Sequence, residues 1–128
     1  MRRVTGIGGI FFQARDPAAL RAWYRDHLGI EVLDWGGAAF RWADDHGVPA
    51  GGTTIWSIGD SSSDTFAGGR AAFVINYRVA DLRALVDALR AEGCNVLDRI
   101  DASEFGTFGW VIDPEGNKVE LWEPPPGQ

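Results

Sequence analysis

The sequence predicts an α+β fold built from two copies of one unit: a strand, a helix and three further strands. Three observations carry this prediction. Hydrophobic spacing switches twice between a period of two and a helical period. Each helical stretch opens on an aspartate, Asp16 or Asp81, and closes on a glycine, Gly29 or Gly93. The entry to the following strand repeats too, as Gly29-Ile30-Glu31-Val32 beside Gly93-Cys94-Asn95-Val96. A single unit covers one sheet face with its helix and leaves the other open. Two copies resolve this by joining their sheets around a shared hollow.

The elements follow in order. Thr5 to Ala14 reads as a strand, with Ile7, Ile10, Phe11 and Phe12 as its apolar positions. Asp16 caps a helix that Pro17 starts and whose stripe is Leu20, Trp23, Tyr24, His27 and Leu28. Trp23 is expected in the core. Ile30 to Trp35, Ala38 to Ala43 and Thr53 to Ile58 read as strands, with Gly36-Gly37 as a hairpin signal and Asp44 to Gly52 as a longer loop. Gly59 to Arg70, polar and rich in serine and glycine, reads as a connector. Ala72 to Val79 is the next strand. Asp81 caps a helix with the stripe Leu82, Leu85, Val86 and Leu89. Asn95 to Ile100, Phe105 to Asp113 and Lys118 to Glu123 complete the second set of strands. Asp113-Pro114-Glu115-Gly116 is the turn before the last of them, and Pro124-Pro125-Pro126 ends the sheet.

Composition narrows the function. The chain of 128 residues is predicted as one domain, with module one at about 1–60 and module two at about 70–125. Twelve basic against 18 acidic residues give a net charge of −6, which disfavours nucleic acid and anionic membrane as partners. No apolar run of ~18 residues is present, so no membrane span is expected. The N-terminus reads as a first strand rather than a signal peptide. One cysteine, Cys94, excludes an internal disulfide and fits the cytoplasm. Six tryptophans are many for so small a core and suggest a lined cavity.

Several segments together resemble the vicinal oxygen chelate superfamily of glyoxalases, bleomycin-resistance proteins and extradiol dioxygenases. They are Phe11-Phe12-Gln13-Ala14-Arg15-Asp16-Pro17, Trp23-Tyr24-Arg25-Asp26-His27-Leu28-Gly29, Val79-Ala80-Asp81-Leu82 and, above all, the stretch from Phe108 to Pro124 with its D-P-x-G-N turn and E-L strand. The resemblance covers the whole chain. It implies paired βαβββ modules forming a curved mixed sheet or half-barrel around a cavity, with helices outside, and it implies a homodimer.

In catalytic members a divalent metal sits on the cavity face and chelates two substrate oxygens. The resemblance places Glu120 at the carboxylate ligand. The first-strand histidine position, seven residues before Asp16, holds Gly9. Its counterpart in module two falls on Val74 or Ile75, and a further position falls among Ile55, Trp56 and Ser57. None is a strong ligand, so the usual metal site is read as lost and no cofactor is expected. If any metal binds, Glu120 holds it. Two other roles for Glu120 stay open: an ion pair with Lys118 or an arginine, and general base with a pKa raised by burial. His27 is expected to interact with its helix C-terminus. His46, with Asp44 and Asp45, is expected in a solvated loop.

Strand alternation suggests the cavity lining. Phe11 and Gln13, Asn76 and Arg78, Trp110, and Trp122 beside Glu120 are assigned to it, with Trp42 and Trp56 from the strands between. Asn76 is either a ligand contact or a structural hydrogen bond. Asp101 to Gly106 is expected to form a rim, with Glu104 as a second carboxylate. The function expected is a glyoxalase- or bleomycin-resistance-like protein that holds a small organic molecule, aromatic or cationic, without the usual catalytic metal. The alternatives are an enzyme of the same superfamily (lyase, isomerase or dioxygenase) working through Glu120, with Arg78 or Asn76 stabilising an oxyanion, and a non-catalytic interaction module.

Overall fold

Period-two stretches built largely from Val, Ile, Phe and Trp fold into one mixed, curved and unclosed sheet of eight strands in this computed structural model, which describes residues 3–128. Met1 and Arg2 lie outside the described residues. The strands are β1 (Val4–Gln13), β2 (Gly37–Ala43), β3 (Pro49–Gly59), β4 (Phe73–Val79), β5 (Asn95–Val96), β6 (Asp101–Ser103), β7 (Gly106–Ile112) and β8 (Lys118–Glu123). Their order is β2-β3-β1-β4-β8-β7-β5, with β6 also on β7. The antiparallel pair β1–β4 joins the two halves, and β1–β3 and β4–β8 are the matching parallel pairs within them.

The helices α1 (Pro17–Leu28) and α2 (Leu82–Ala91) start and stop as their caps dictate. The Asp16 carboxylate accepts from Ala19 N–H and the Asp81 carboxylate from Ala84 N–H, each at 3.1 Å. Gly29 takes the left-handed conformation at φ 68° that glycine adopts without strain. The two helices differ in how deeply they sit. Leu82, Leu85 and Val86 of α2 are buried on Val79 and Leu121. No residue of α1 is fully buried, and it rests on Ala38, Trp56 and Ile58 through Leu20 and Tyr24.

Several expectations about elements need correction. Ile30 to Trp35 is not a strand. Ile30 and Val32 do alternate into the core, but Gly36 N–H bonds to Leu33 O and Leu33 N–H to Gly37 O, closing a turn instead of a ladder. The loop from Asp44 to Gly52 is shorter than expected: β3 begins at Pro49, and the turn tightens to Asp44–Val48, where the Asp44 carboxylate accepts from His46 and Val48 N–H. Asn95 to Ile100 pairs only over β5, and the rim segment contributes β6. Asp101-Ala102-Ser103 has little β propensity, so pairing with β7 decides its conformation. Trp23, expected in the core, is half exposed beside Tyr24 and His27. Among the described residues no helix is long and apolar enough to cross a membrane.

Candidate functional site

The face of the sheet turned away from the helices holds a cavity of about 750 Å³. Phe11 of β1, Phe108 of β7 and Trp122 of β8 wall it, together with Trp35 and Phe105 from the loops. Phe108 and Trp122 stack with centroids 6.0 Å apart. Asn76 forms part of the floor, Glu104 stands at the rim, and Pro125 and Gln128 of the C-terminal segment close one side. The wall is therefore largely aromatic, with few polar groups to orient a guest, as in most small-molecule sites.

Strand register builds the floor. Gly9 lies opposite Asn76, Asn76 opposite Glu120, and Glu120 opposite Trp110, so these residues form one row across β1, β4, β8 and β7. An irregularity in β1 between Ile7 and Gly9 brings Gly8 against the same amide. A Cβ at Gly8 would stand 2.1 Å from Asn76 Oδ1, so glycine is what leaves the amide its place. Asn76 is 2% exposed, and its Oδ1 has no hydrogen-bond partner in the protein. Buried polar atoms are seldom left so.

Glu120 is buried beside Asn76 and just outside the cavity lining. Burial pushes its carboxyl up to about 7. Lys118, Asn76 and Trp110 oppose the shift by favouring the charged form, and Asp101 adds to it. Lys118 and Glu120 do not close an ion pair. The Lys118 ammonium instead donates to Asp64 O at 3.0 Å and lies 5.7 Å from the centre of the Trp110 ring. Burial lowers the pKa of this ammonium.

The remaining expected site residues fall elsewhere. Trp56 is corrected: it packs edge-on to Phe12 and Tyr24 beneath α1. Parity on β3 gives the cavity its neighbour Ile55 instead. Gln13 ends β1 beyond the lining. Trp42 donates its indole N–H to Thr54 Oγ1 and lies against the Arg78 guanidinium at 4.8 Å. Arg78 is held between the Trp42 and Trp122 rings, and it donates to the Thr53 and Gln128 carbonyl oxygens. Its guanidinium thus lies beside the cavity and does not line it. Gly8, Trp35, Phe105 and Phe108 were missed. Phe108 shares Trp110's parity and was within reach of alternation. Trp35 and Phe105 sit on loops, where no period exists.

The resemblance implies a divalent metal on this face, and the residues present do not fit one. The row offers one carboxylate and one amide, flanked by Gly8, Gly9 and Ile55 and by the Lys118 side chain. A zinc site draws three or four ligand side chains from the protein. Among the described residues no three His, Cys, Asp or Glu side chains come together. Across the β1–β4 ladder Gly9 faces Asn76, while Ile75 and Val74, the positions counted back from Asp81, face Ile10 and Phe11.

A two-module sheet with a hollow on its inner face defines the class. The chain belongs to the Glyoxalase/Bleomycin resistance protein/Dioxygenase superfamily, whose model matches residues 6–121. The chain is similar in fold to methylmalonyl-CoA epimerases. One from Mycobacterium tuberculosis is 24% identical, with a TM-score of 0.63 over 98% of this chain and 92% of that one. A Streptomyces coelicolor variant in complex with 2-nitronate-propionyl-CoA is 20% identical, with a TM-score of 0.72 over 98% of each chain. A further epimerase, in complex with methylmalonyl-CoA and NH4+, is 19% identical, with a TM-score of 0.71 over 98% of each chain. No curated protein matches the chain by sequence.

Proposed function

We propose that the protein holds a small organic molecule with a flat apolar body in the cavity above Asn76, and does so without a divalent metal. One observation carries this reading. A hollow of about 750 Å³ has aromatic walls and a buried amide oxygen on its floor that no protein group satisfies. Stacking supplies most of the affinity, and one hydrogen bond sets orientation. We extend the reading to a cytoplasmic homodimer, on the single cysteine, the acidic charge and the family resemblance. The test is a compound screen by intrinsic tryptophan fluorescence, with protein freed of metals by chelation. Hits that quench wild-type emission, and whose effect shrinks in Trp122→Phe, support the reading. A screen in which binding appears only after metal is restored contradicts it.

A second reading, proton transfer by Glu120, is favoured by one further observation. This carboxyl titrates at about 7, is shielded from water and touches the floor amide. Such a group exchanges protons at neutral pH. Arg78 stands beside the cavity rather than in its lining, with two of its five N–H groups bonded to carbonyl oxygens. Incubation with methylmalonyl-CoA in deuterium oxide tests this reading. Solvent deuterium appearing next to the thioester carbonyl with the wild type, and not with Glu120→Gln, supports it. No incorporation by the wild type sets it aside.

A further inference from the structure

We infer that the molecule held over Asn76 is a planar cation carrying an N–H donor, not an acid or an acyl thioester. The inference rests on the reading that the cavity binds an organic ligand, and it names the chemical class.

The floor comes first. The Asn76 amide is pinned between two strands, with Glu120 on one side. Its amide group favours the charged carboxylate of Glu120, which is the work of the N–H end. The other end, Oδ1, is then the free one, and it is a pure acceptor. Gly8 offers that oxygen no side chain of its own, and none fits there. A guest that meets this atom must donate a hydrogen.

The rim and walls agree. Among the described residues that line the cavity, Glu104 is the one with an ionisable side chain, and Lys, Arg and His are absent. The two nearest cations stand outside the lining, Arg78 against the Trp42 and Trp122 rings and two carbonyl oxygens, Lys118 on Asp64 O and the Trp110 ring. The Trp122 indole N–H is likewise committed to Phe105 O at 2.8 Å. The walls are mainly aromatic rings, whose negative quadrupole attracts cations. A carboxylate or phosphate placed here would be desolvated with no cationic side chain in the lining. The net charge of −6 steers ligands in the same sense.

The test uses one ring with four substituents: naphthylmethylamine, which is a cation at neutral pH, naphthalenemethanol, methoxynaphthalene and naphthylacetate. Calorimetry on the full chain is expected to rank them in that order, the cation at least about tenfold tighter than the acid. Glu104→Gln, a change at an exposed position, is expected to weaken the cation by about two- to fivefold and leave the alcohol unchanged. Asn76→Leu is expected to weaken both donors by about tenfold while sparing the ether. If the acid binds as tightly as the amine, the assignment of charge is overturned and the cavity reading stands. If the ether matches the alcohol, the role of Oδ1 is overturned. Silence from all four overturns the cavity reading and this inference together.

Discussion

Glu120 shows how one residue links sequence, burial and chemistry. It sits between Val119 and Leu121, two apolar residues whose side chains face α2, so alternation drives the carboxyl into the opposite face. There it meets Lys118 from its own strand, Asn76 from β4, Trp110 from β7 and Asp101 from β6. Its folded pKa lies above the ordinary 4.5, so between about 4.5 and about 7 the native state binds more protons than the unfolded state. Glu120 therefore stabilises the fold fully below that window and loses the contribution as pH rises through it. The loss reaches about 3 kcal/mol by pH 8. Glu120→Gln is expected to flatten this pH dependence, and urea unfolding at pH 5 and pH 8 measures it. Gly8 makes a second prediction. Gly8→Ala sets a methyl group against Asn76 Oδ1 and the Trp122 ring, so it should weaken ligand binding at least about tenfold while far-ultraviolet circular dichroism stays unchanged. The Gly8–Asn76 contact was hidden in the sequence. Counting back from Asp16 points to Gly9, but the strand irregularity after Ile7 brings Gly8 to the amide.

At the scale of elements, the two helices look equivalent in sequence and differ in the fold. Both have an aspartate cap and a glycine stop, and those local signals were readable because caps act through adjacent backbone. Depth of packing was not readable, because it depends on which strands arrive beneath. Leu82 is fully buried and packs with Leu121 of β8, whereas α1 buries no residue fully and leaves Trp23 half in solvent. Leu82→Ala is expected to cost about 2–5 kcal/mol in chemical unfolding. Amide hydrogen exchange should be correspondingly faster across α1 than across α2. Strand ends followed the same rule. β7 and β8 were found to within a residue, since both are central and apolar. β6 reads as a rim because its three small or polar residues carry no pattern, and Ile30 to Trp35 reads as a strand because its apolar alternation serves packing instead.

For the whole molecule, the repeat is the organising fact. Each half pairs its first strand in parallel with its last, and the halves meet at β1–β4. The cavity draws walls from both: Phe11 and Trp35 from one, Phe108 and Trp122 from the other. Residues 1–60 or 70–128 expressed alone would leave β1 or β4 as an open apolar edge. Each is expected to aggregate or stay unfolded, and circular dichroism of the separate halves checks this. The repeat could be seen because caps and turns recur in order. The lining of the shared hollow could be seen only in part, since Trp35, Phe105 and Pro125 reach it by loop geometry, and Trp56 leaves it by strand parity. The most direct measurement is an indole ¹⁵N–¹H spectrum recorded while naphthylmethylamine is added. The six tryptophans act as reporters of known position. A guest above Asn76 should move the Trp35 and Trp122 signals first and leave Trp23 and Trp56, on the helix side, unchanged. Movement confined to Trp23 and Trp56, or no movement at all, would contradict the account.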